Sequence, residues 1–150
     1  MTIEIRYIGK DNGAQFSQAQ TRYAKLIAPY AKLSVTPVWN GAIEKAQKIG
    51  FAAAQEAYAR AFSPRSGYAI ALSAEGKSFD SAGFAALIAS RASFCFYIGG
   101  AYGLDRSFCE SCDLCVSLSP LTFSHDLARI VLLEQLYRAF AINARHPYDK

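Results

Sequence analysis

The chain contains no apolar run approaching the roughly eighteen residues that cross a bilayer, which excludes a membrane-spanning helix. No apolar stretch follows the opening Met1-Thr2-Ile3-Glu4-Ile5-Arg6, where charge and hydrophobe already alternate, so a secretory leader is not expected. Internal repeats, low-complexity tracts and interdomain linkers are also lacking, and the G-x-G-x-x-G dinucleotide fingerprint is absent. Tryptophan occurs once, as Trp39, and reads as a packing residue. What remains is ordinary globular composition: 150 residues, 52% hydrophobic and 19% charged, enough for one domain with a core that needs neither disulfide nor metal. The net charge of +4 is mildly basic and compatible with a phosphate-bearing partner without requiring one. These features describe a soluble cytoplasmic protein confined to one domain over residues 1–150, with no membrane or DNA partner.

Of the four cysteines, Cys109, Cys112 and Cys115 form a C-x2-C-x2-C run. Tetrahedral zinc takes four ligands, and no neighbouring histidine or cysteine completes the set unless Cys95 folds over it. The run therefore reads as small, semi-buried core residues with reduced thiols, and no metal is assigned.

Strand-like and helical patterns alternate along the chain. Strands are predicted at Thr2–Ile8, Lys32–Trp39, Gly67–Leu72, Ser93–Ile98 and Asp113–Leu118. Helices are predicted over Gln15–Tyr30, Ala42–Phe62, Ser81–Arg91, Asp105–Ser111 and Ser124–Asn143, the second ended by Ser63-Pro64. Such alternation specifies an α/β fold with a mostly parallel sheet and helices on both faces. Pro37 places the second strand near a sheet edge. Phe94-Cys95-Phe96-Tyr97-Ile98 is apolar without alternation, as a central strand buried on both faces requires. It runs into Gly99-Gly100-Ala101-Tyr102-Gly103, at the strand end where open α/β sheets bind ligands and where glycine lets backbone N–H groups approach closely. The final helix is apolar nearly all round, for which a subunit interface is the simplest explanation, with a central position in one domain as the alternative.

The ordered set Phe96–Gly103, Ser117–His125, Arg129, Glu134-Gln135-Leu136-Tyr137-Arg138-Ala139 and Pro147-Tyr148, together with Ala71–Lys77 and Ile5–Lys10 upstream, resembles the RlmH family of SPOUT-class RNA methyltransferases over nearly the whole chain. The resemblance implies a C-terminal trefoil knot, S-adenosyl-L-methionine as cofactor and a homodimer. The implied activity is methylation of N3 of a pseudouridine in 23S ribosomal RNA, on assembled ribosomes. It carries cofactor contacts onto Leu72, Gly99, Gly100, Gly103, Leu118, Ser119, Pro120, Leu121, Thr122 and Phe123. A Gly100→Val substitution is then expected to block cofactor binding while the protein stays folded.

Methyl transfer from a sulfonium to an imide-like nitrogen needs in-line positioning and a route for the departing proton. The catalytic candidates are His125, Arg129, Arg138, Tyr148 and Asp149, with Tyr137 and His146 nearby in sequence. Three positions depart from the family pattern. Asp149 stands where a histidine is usual after Pro-Tyr, Ser73 where an acidic residue is common, and Ser124 where proline is common. Two competing readings stand beside it: a SPOUT methyltransferase acting on another RNA, such as transfer RNA, and, on the Asp149 departure, a non-catalytic ribosome-binding module.

Overall fold

The structure is a computed structural model that describes residues 1–10, 15–63 and 65–149. Five strands, β1 (Thr2–Ile8), β2 (Lys32–Val38), β3 (Tyr68–Ser78), β4 (Ser93–Ile98) and β5 (Leu114–Ser117), form one parallel sheet in the order β2-β1-β4-β3-β5. Among the described residues, five helices lie in the connections, α1 (Ser17–Ile27), α2 (Gly41–Ile49), α3 (Phe51–Ala61), α4 (Ser81–Ala89) and α5 (Arg106–Ser111), and α6 (His125–Asn143) follows β5. The α/β class and the parallel sheet are as the sequence predicts. No helix among the described residues is long and apolar enough to cross a membrane.

Two cores lie on the two sheet faces. On one, Ile3, Ile5, Ile70, Phe94, Phe96 and Ile98 meet Ile27 of α1, Phe84 and Ile88 of α4, and Leu132, Leu133, Leu136 and Phe140 of α6. On the other, Ile8, Ala69, Ala71, Cys95 and Tyr97 meet Ile43 of α2, Tyr58 of α3 and Phe108 of α5. Successive β4 side chains therefore enter opposite cores, and both are dry. This is why Phe94–Ile98 shows no polar alternation. The edge position of β2 agrees with Pro37, whose missing N–H costs a ladder bond only if a further strand lies outside it.

Two elements differ from the sequence prediction. The Ala-rich segment 42–62 is two helices rather than one, because Gly50 adopts φ +154°, a conformation that excludes side-chain-bearing residues. Asn40 starts α2 by accepting a hydrogen bond from the Ile43 N–H at 2.8 Å. Pro64, expected to end this helical stretch, lies outside the described residues; α3 ends at Ala61. The second difference is the length of β3, predicted to stop at Leu72. Leu72 and Lys77 both register with Val116, so residues 73–76 bulge out of the ladder before pairing resumes. Gly76 lies so close to β5 that an added Cβ would sit 2.7 Å from the Val116 carbonyl carbon.

The last helix finds most of its apolar contacts within one chain. Leu132, Leu133, Leu136, Tyr137 and Phe140 are all buried there, which favours a central position in the domain as the reason for its composition. Leu127 at its first turn and Leu121 just before it remain exposed.

Candidate functional site

A cavity of about 490 Å³ opens at the carboxyl ends of β3, β4 and β5. Its size suits a small cofactor. The β3 bulge (Leu72, Ser73, Ala74, Glu75), the β4 end (Ile98, Gly99, Gly100) and the β5 end (Leu118, Ser119) form its floor. Phe51 and Gln55 of α3, residues 102–106 and residues 121–123 close the sides, with His125 and Ala128 of α6.

Local rules explain each wall. After β4 the chain makes a tight turn in which the Gly103 N–H donates to the Gly100 carbonyl at 3.0 Å. Gly103 sits at φ +69°, and a Cβ on buried Gly99 would meet the Gly103 carbonyl carbon at 2.7 Å, so this turn closes only with glycine at both places. Asp105 then caps α5, accepting from the Phe108 N–H at 2.7 Å. Gln55 Nε2 donates to the Tyr102 carbonyl at 3.0 Å and ties α3 to the glycine turn. Ser119 Oγ accepts from the Leu121 N–H at 3.0 Å, and Ser124 Oγ accepts from the Leu127 N–H at 3.3 Å to start α6. Ser124 thus serves as the N-cap of α6.

Of the residues expected to hold a cofactor, Leu72, Gly99, Gly100, Gly103, Leu118, Ser119, Leu121, Thr122 and Phe123 line this cavity; Pro120, in the same loop, does not. Nothing in the sequence points to Phe51 or Gln55, which reach the cavity through the Gly50 break, whereas Tyr102 arrives within the glycine turn already singled out. Gly100 also has a role the sequence concealed. An added Cβ would strike the Tyr58 hydroxyl at 2.6 Å and Ile8 Cγ2 at 3.0 Å, so Gly100→Val would push into the core behind the cavity as well as disturbing its wall. The Tyr58 hydroxyl donates to Gln47, and burial raises its pKa above the ordinary phenol value.

The five catalytic candidates separate into two groups. His125, about one-third exposed, lines the cavity, with Nε2 3.7 Å from Asp126 Oδ1. Arg129, one turn on, is 6% exposed and does not line it. Its Nε donates to Gln20 Oε1 at 2.9 Å, its Nη1 lies 3.3 Å from Asp126 Oδ1, and its guanidinium stacks 4.1 Å from the centre of the Tyr7 ring. Arg129 thereby clasps α1, α6 and β1 and fixes the carboxylate beside His125.

Arg138, Tyr148 and Asp149 assemble elsewhere, at the other end of α6. Arg145 at φ +56° and the His146 N–H, donating to the Ala141 carbonyl at 2.8 Å, reverse the chain so that the tail folds back along the helix. Glu134 accepts from Arg138 Nη2 at 2.6 Å and from the Tyr148 hydroxyl at 3.0 Å, while Arg138 Nη1 donates to Asp149 Oδ1 at 3.0 Å. The Tyr137 and Tyr148 rings meet edge to face at 4.6 Å. Burial, then the Glu134 hydrogen bond, pushes the Tyr148 phenol up to about 12. It is a hydrogen-bond donor at neutral pH, not a proton acceptor. His146 accepts from the Tyr148 N–H at 3.1 Å and shapes the turn. None of these residues lines the cavity; at 1.5 Å rise per residue, Arg138 lies roughly 20 Å along the helix from His125.

Cys109, Cys112 and Cys115 pack beside the second core, and burial raises all three thiols, Cys109 to about 12 and Cys112 to about 11. Among the described residues no group of three or more His, Cys, Asp or Glu side chains is arranged to hold a metal ion.

Residues 1–149 match the family described as "Predicted SPOUT methyltransferase". Proteins named "Ribosomal RNA large subunit methyltransferase H" are similar over the full length of both chains, at 43% identity in Campylobacter jejuni subsp. doylei and 41% in Aliarcobacter butzleri. The one in Nitratiruptor sp. is 42% identical over 99% of this chain and 98% of its own. In fold, the chain resembles the solved structure of "a probable methylase family protein" from Haemophilus influenzae, with a TM-score of 0.59 and 14% identity over 99% of this chain and 70% of that one.

Proposed function

The chain belongs to the SPOUT methyltransferase family, within its RlmH group, and from this we propose that it methylates N3 of a pseudouridine in 23S ribosomal RNA of the large subunit, with S-adenosyl-L-methionine as methyl donor. The observation that carries the reading is the convergence of the family's separated motifs, Leu72, the Gly99–Gly103 turn and the Leu118–Phe123 loop, on one cavity at three strand ends. The cavity suits this donor chemically. Apolar walls of Leu72, Ile98, Leu104, Leu118 and Phe123 offer a slot for a purine. Glu75 and Asp105 provide carboxylates toward a cationic, phosphate-free ligand, and the lining Arg106 is paired with Glu110 at 2.9 Å.

S-adenosyl-L-methionine supplies an electrophilic methyl group; the protein must hold donor and base in line and take up the N3 proton. His125 is the imidazole on the cavity wall and is assigned as proton acceptor. Asp126 orients it, and Arg129 fixes Asp126 from below. Arg138 and Tyr148, held in place by the Glu134 and Asp149 carboxylates that accept from them, form a fixed polar cluster directed at the RNA. In one chain that cluster stands well away from the cavity, which supports a homodimer in which the tail of one copy meets the cavity of the other. We further read residues 1–150 as one domain, threaded at its C-terminal part into a trefoil knot, an exception to the rule against threaded chains. The working site is the cytoplasmic ribosome.

Asp149, standing where the family usually has histidine and paired with Arg138 at 3.0 Å, favours a second reading, a non-catalytic ribosome-binding module, because it leaves the tail without an imidazole to move a proton. Mass-spectrometric mapping of pseudouridines in ribosomal RNA from cells with and without the protein, paired with single-turnover transfer to purified ribosomes, tests the assignment. A protein-dependent methyl group at N3 is expected. Ribosome and donor binding without transfer would establish the module instead, and methyl groups confined to transfer RNA would establish another substrate.

A further inference from the structure

The carboxyl edge of the sheet continues beyond the cavity toward β1 and β2, and a line of aromatic and cationic side chains follows it. Phe51, 60% exposed, stands at the cavity wall with its ring 5.6 Å from Tyr102 in an edge-to-face pair. Ile49, one residue before Gly50, is 79% exposed. The nine residues before that break form α2, about 13 Å long and packed through Ile43 on the second core, with Lys45 and Lys48 exposed. It begins at Asn40, next to half-buried Trp39, which follows β2. Lys10, following β1, places its ammonium 5.4 Å from the centre of the Trp39 ring. Two contacts hold the line together: the Gly9 N–H donates to the Val38 carbonyl at 3.1 Å, and Gly100 abuts Ile8 closely enough that a Cβ would lie 3.0 Å from it.

This arrangement is expensive for a surface with no partner. Ile49 and Phe51 expose large apolar area at a break created by Gly50, and Trp39, packed in part against the second core, carries the Lys10 ammonium over its ring. Aromatic faces interleaved with lysines are the chemistry that binds unpaired nucleotides: bases stack on the rings and the ammonium groups follow the phosphates. Within α2, Glu44, exposed in the first turn, opposes Lys45 and Lys48, and Glu75 and Asp105 lie at the cavity end of the line. We propose that the rim from Phe51 and Tyr102 to Trp39 and Lys10 is a track for unpaired nucleotides of the substrate RNA, leading into the cavity. The proposal rests on the RNA-methylation reading above and adds to it where the strand flanking the target lies. Phe51 stacks a base at the mouth, Trp39 a base further out, and the three lysines pair with the intervening phosphates.

The test uses the full chain and a fluorescently labelled oligouridine of about 12 nucleotides, a length within the range of single-stranded sites. Phe51→Ala and Trp39→Ala should each weaken oligouridine binding about 5- to 100-fold. Lys10→Gln should reduce the slope of log affinity against log salt by about 0.7. Trp39→Ala and Lys10→Gln lie outside the cavity, so calorimetric affinity for S-adenosyl-L-methionine should be unchanged while KM for ribosomal RNA rises. Trp39→Phe keeps a stacking face and should restore most of the binding, which a purely structural tryptophan would not predict if Trp39→Ala melts as the wild type does. Unaltered oligouridine affinity and unaltered KM in Phe51→Ala and Lys10→Gln would overturn the track while leaving methylation in place. A change in sedimentation that accompanies the loss would assign the rim to a subunit interface and also overturn it. Wild-type protein that binds oligouridine through these residues yet transfers no methyl group would overturn the methylation reading and leave the track standing.

Discussion

Replacing Arg129 by methionine removes a buried cation while keeping the apolar stem that packs on Tyr7. The size of the effect can be worked from its contacts. A desolvated guanidinium stacked 4.1 Å from a tyrosine ring contributes about 2 kcal/mol. The 2.9 Å hydrogen bond to Gln20 contributes roughly 1–2 kcal/mol. The pair with Asp126, whose side chain is 34% exposed, is screened by solvent and contributes under about 1 kcal/mol. These terms share one side chain and do not add fully, so the expected loss is about 2–4 kcal/mol. For a chain of this size that is a fall in Tm of roughly 5–15 °C. Urea unfolding followed by circular dichroism would read it directly, with the transition midpoint lowered and its slope unchanged. Arg129→Lys should recover only part of the loss, since an ammonium cannot reproduce the stacked, forked geometry. A stability change below about 0.5 kcal/mol, the level of an ordinary surface substitution, would refute the clasp. A fully folded Arg129→Met protein that retains stability but has lost methyl transfer would place Arg129 on the substrate instead.

Gly99→Ala should cost about 1–3 kcal/mol and sharply weaken donor binding, because its Cβ meets backbone at 2.7 Å; equal calorimetric affinity would contradict the turn geometry. Tyr148 holds its proton more tightly in the fold, about 12 against an ordinary 10.0. Its stabilisation of the tail is therefore complete below pH ~10 and lost as the pH rises through ~12, a tyrosinate absorbance transition that Tyr148→Phe should remove. Native Cys112, pushed up to about 11 by burial, should react with iodoacetamide at pH 8 roughly a hundredfold more slowly than in urea; equal rates would place the thiol at the surface.

Most of the fold was readable where one physical rule acted alone. Phe94–Ile98 declared a central strand because no face of it tolerates water, and Pro37 declared an edge because it withholds a donor. Reading failed where two rules competed. The alanines around Gly50 carry strong helix propensity, and only the backbone conformation of one residue reveals that two helices meet there. Polar Ser73–Gly76 look like the end of β3 because a bulge removes the side-chain alternation without ending the strand. The cavity wall that came from contiguous motifs was visible, Tyr102 with it, whereas Phe51 and Gln55 were not, since they reach it through that unseen break. The catalytic candidates also looked like one cluster in a C-terminal stretch, and a straight helix separates them.

The sheet order has a consequence for how the chain comes to be folded. β1 is made first, but its central partner β4 lies about ninety residues downstream, at the register Thr2 to Ser93. Until then β1 has only β2 to pair with, and its inner edge and the apolar face of Ile3, Ile5 and Tyr7 stay open. Parallel pairings at such separation must bear the loop-closure entropy before any contact rewards it. The sheet order therefore predicts slow folding, with the sheet completed only when β4 inserts between β1 and β3.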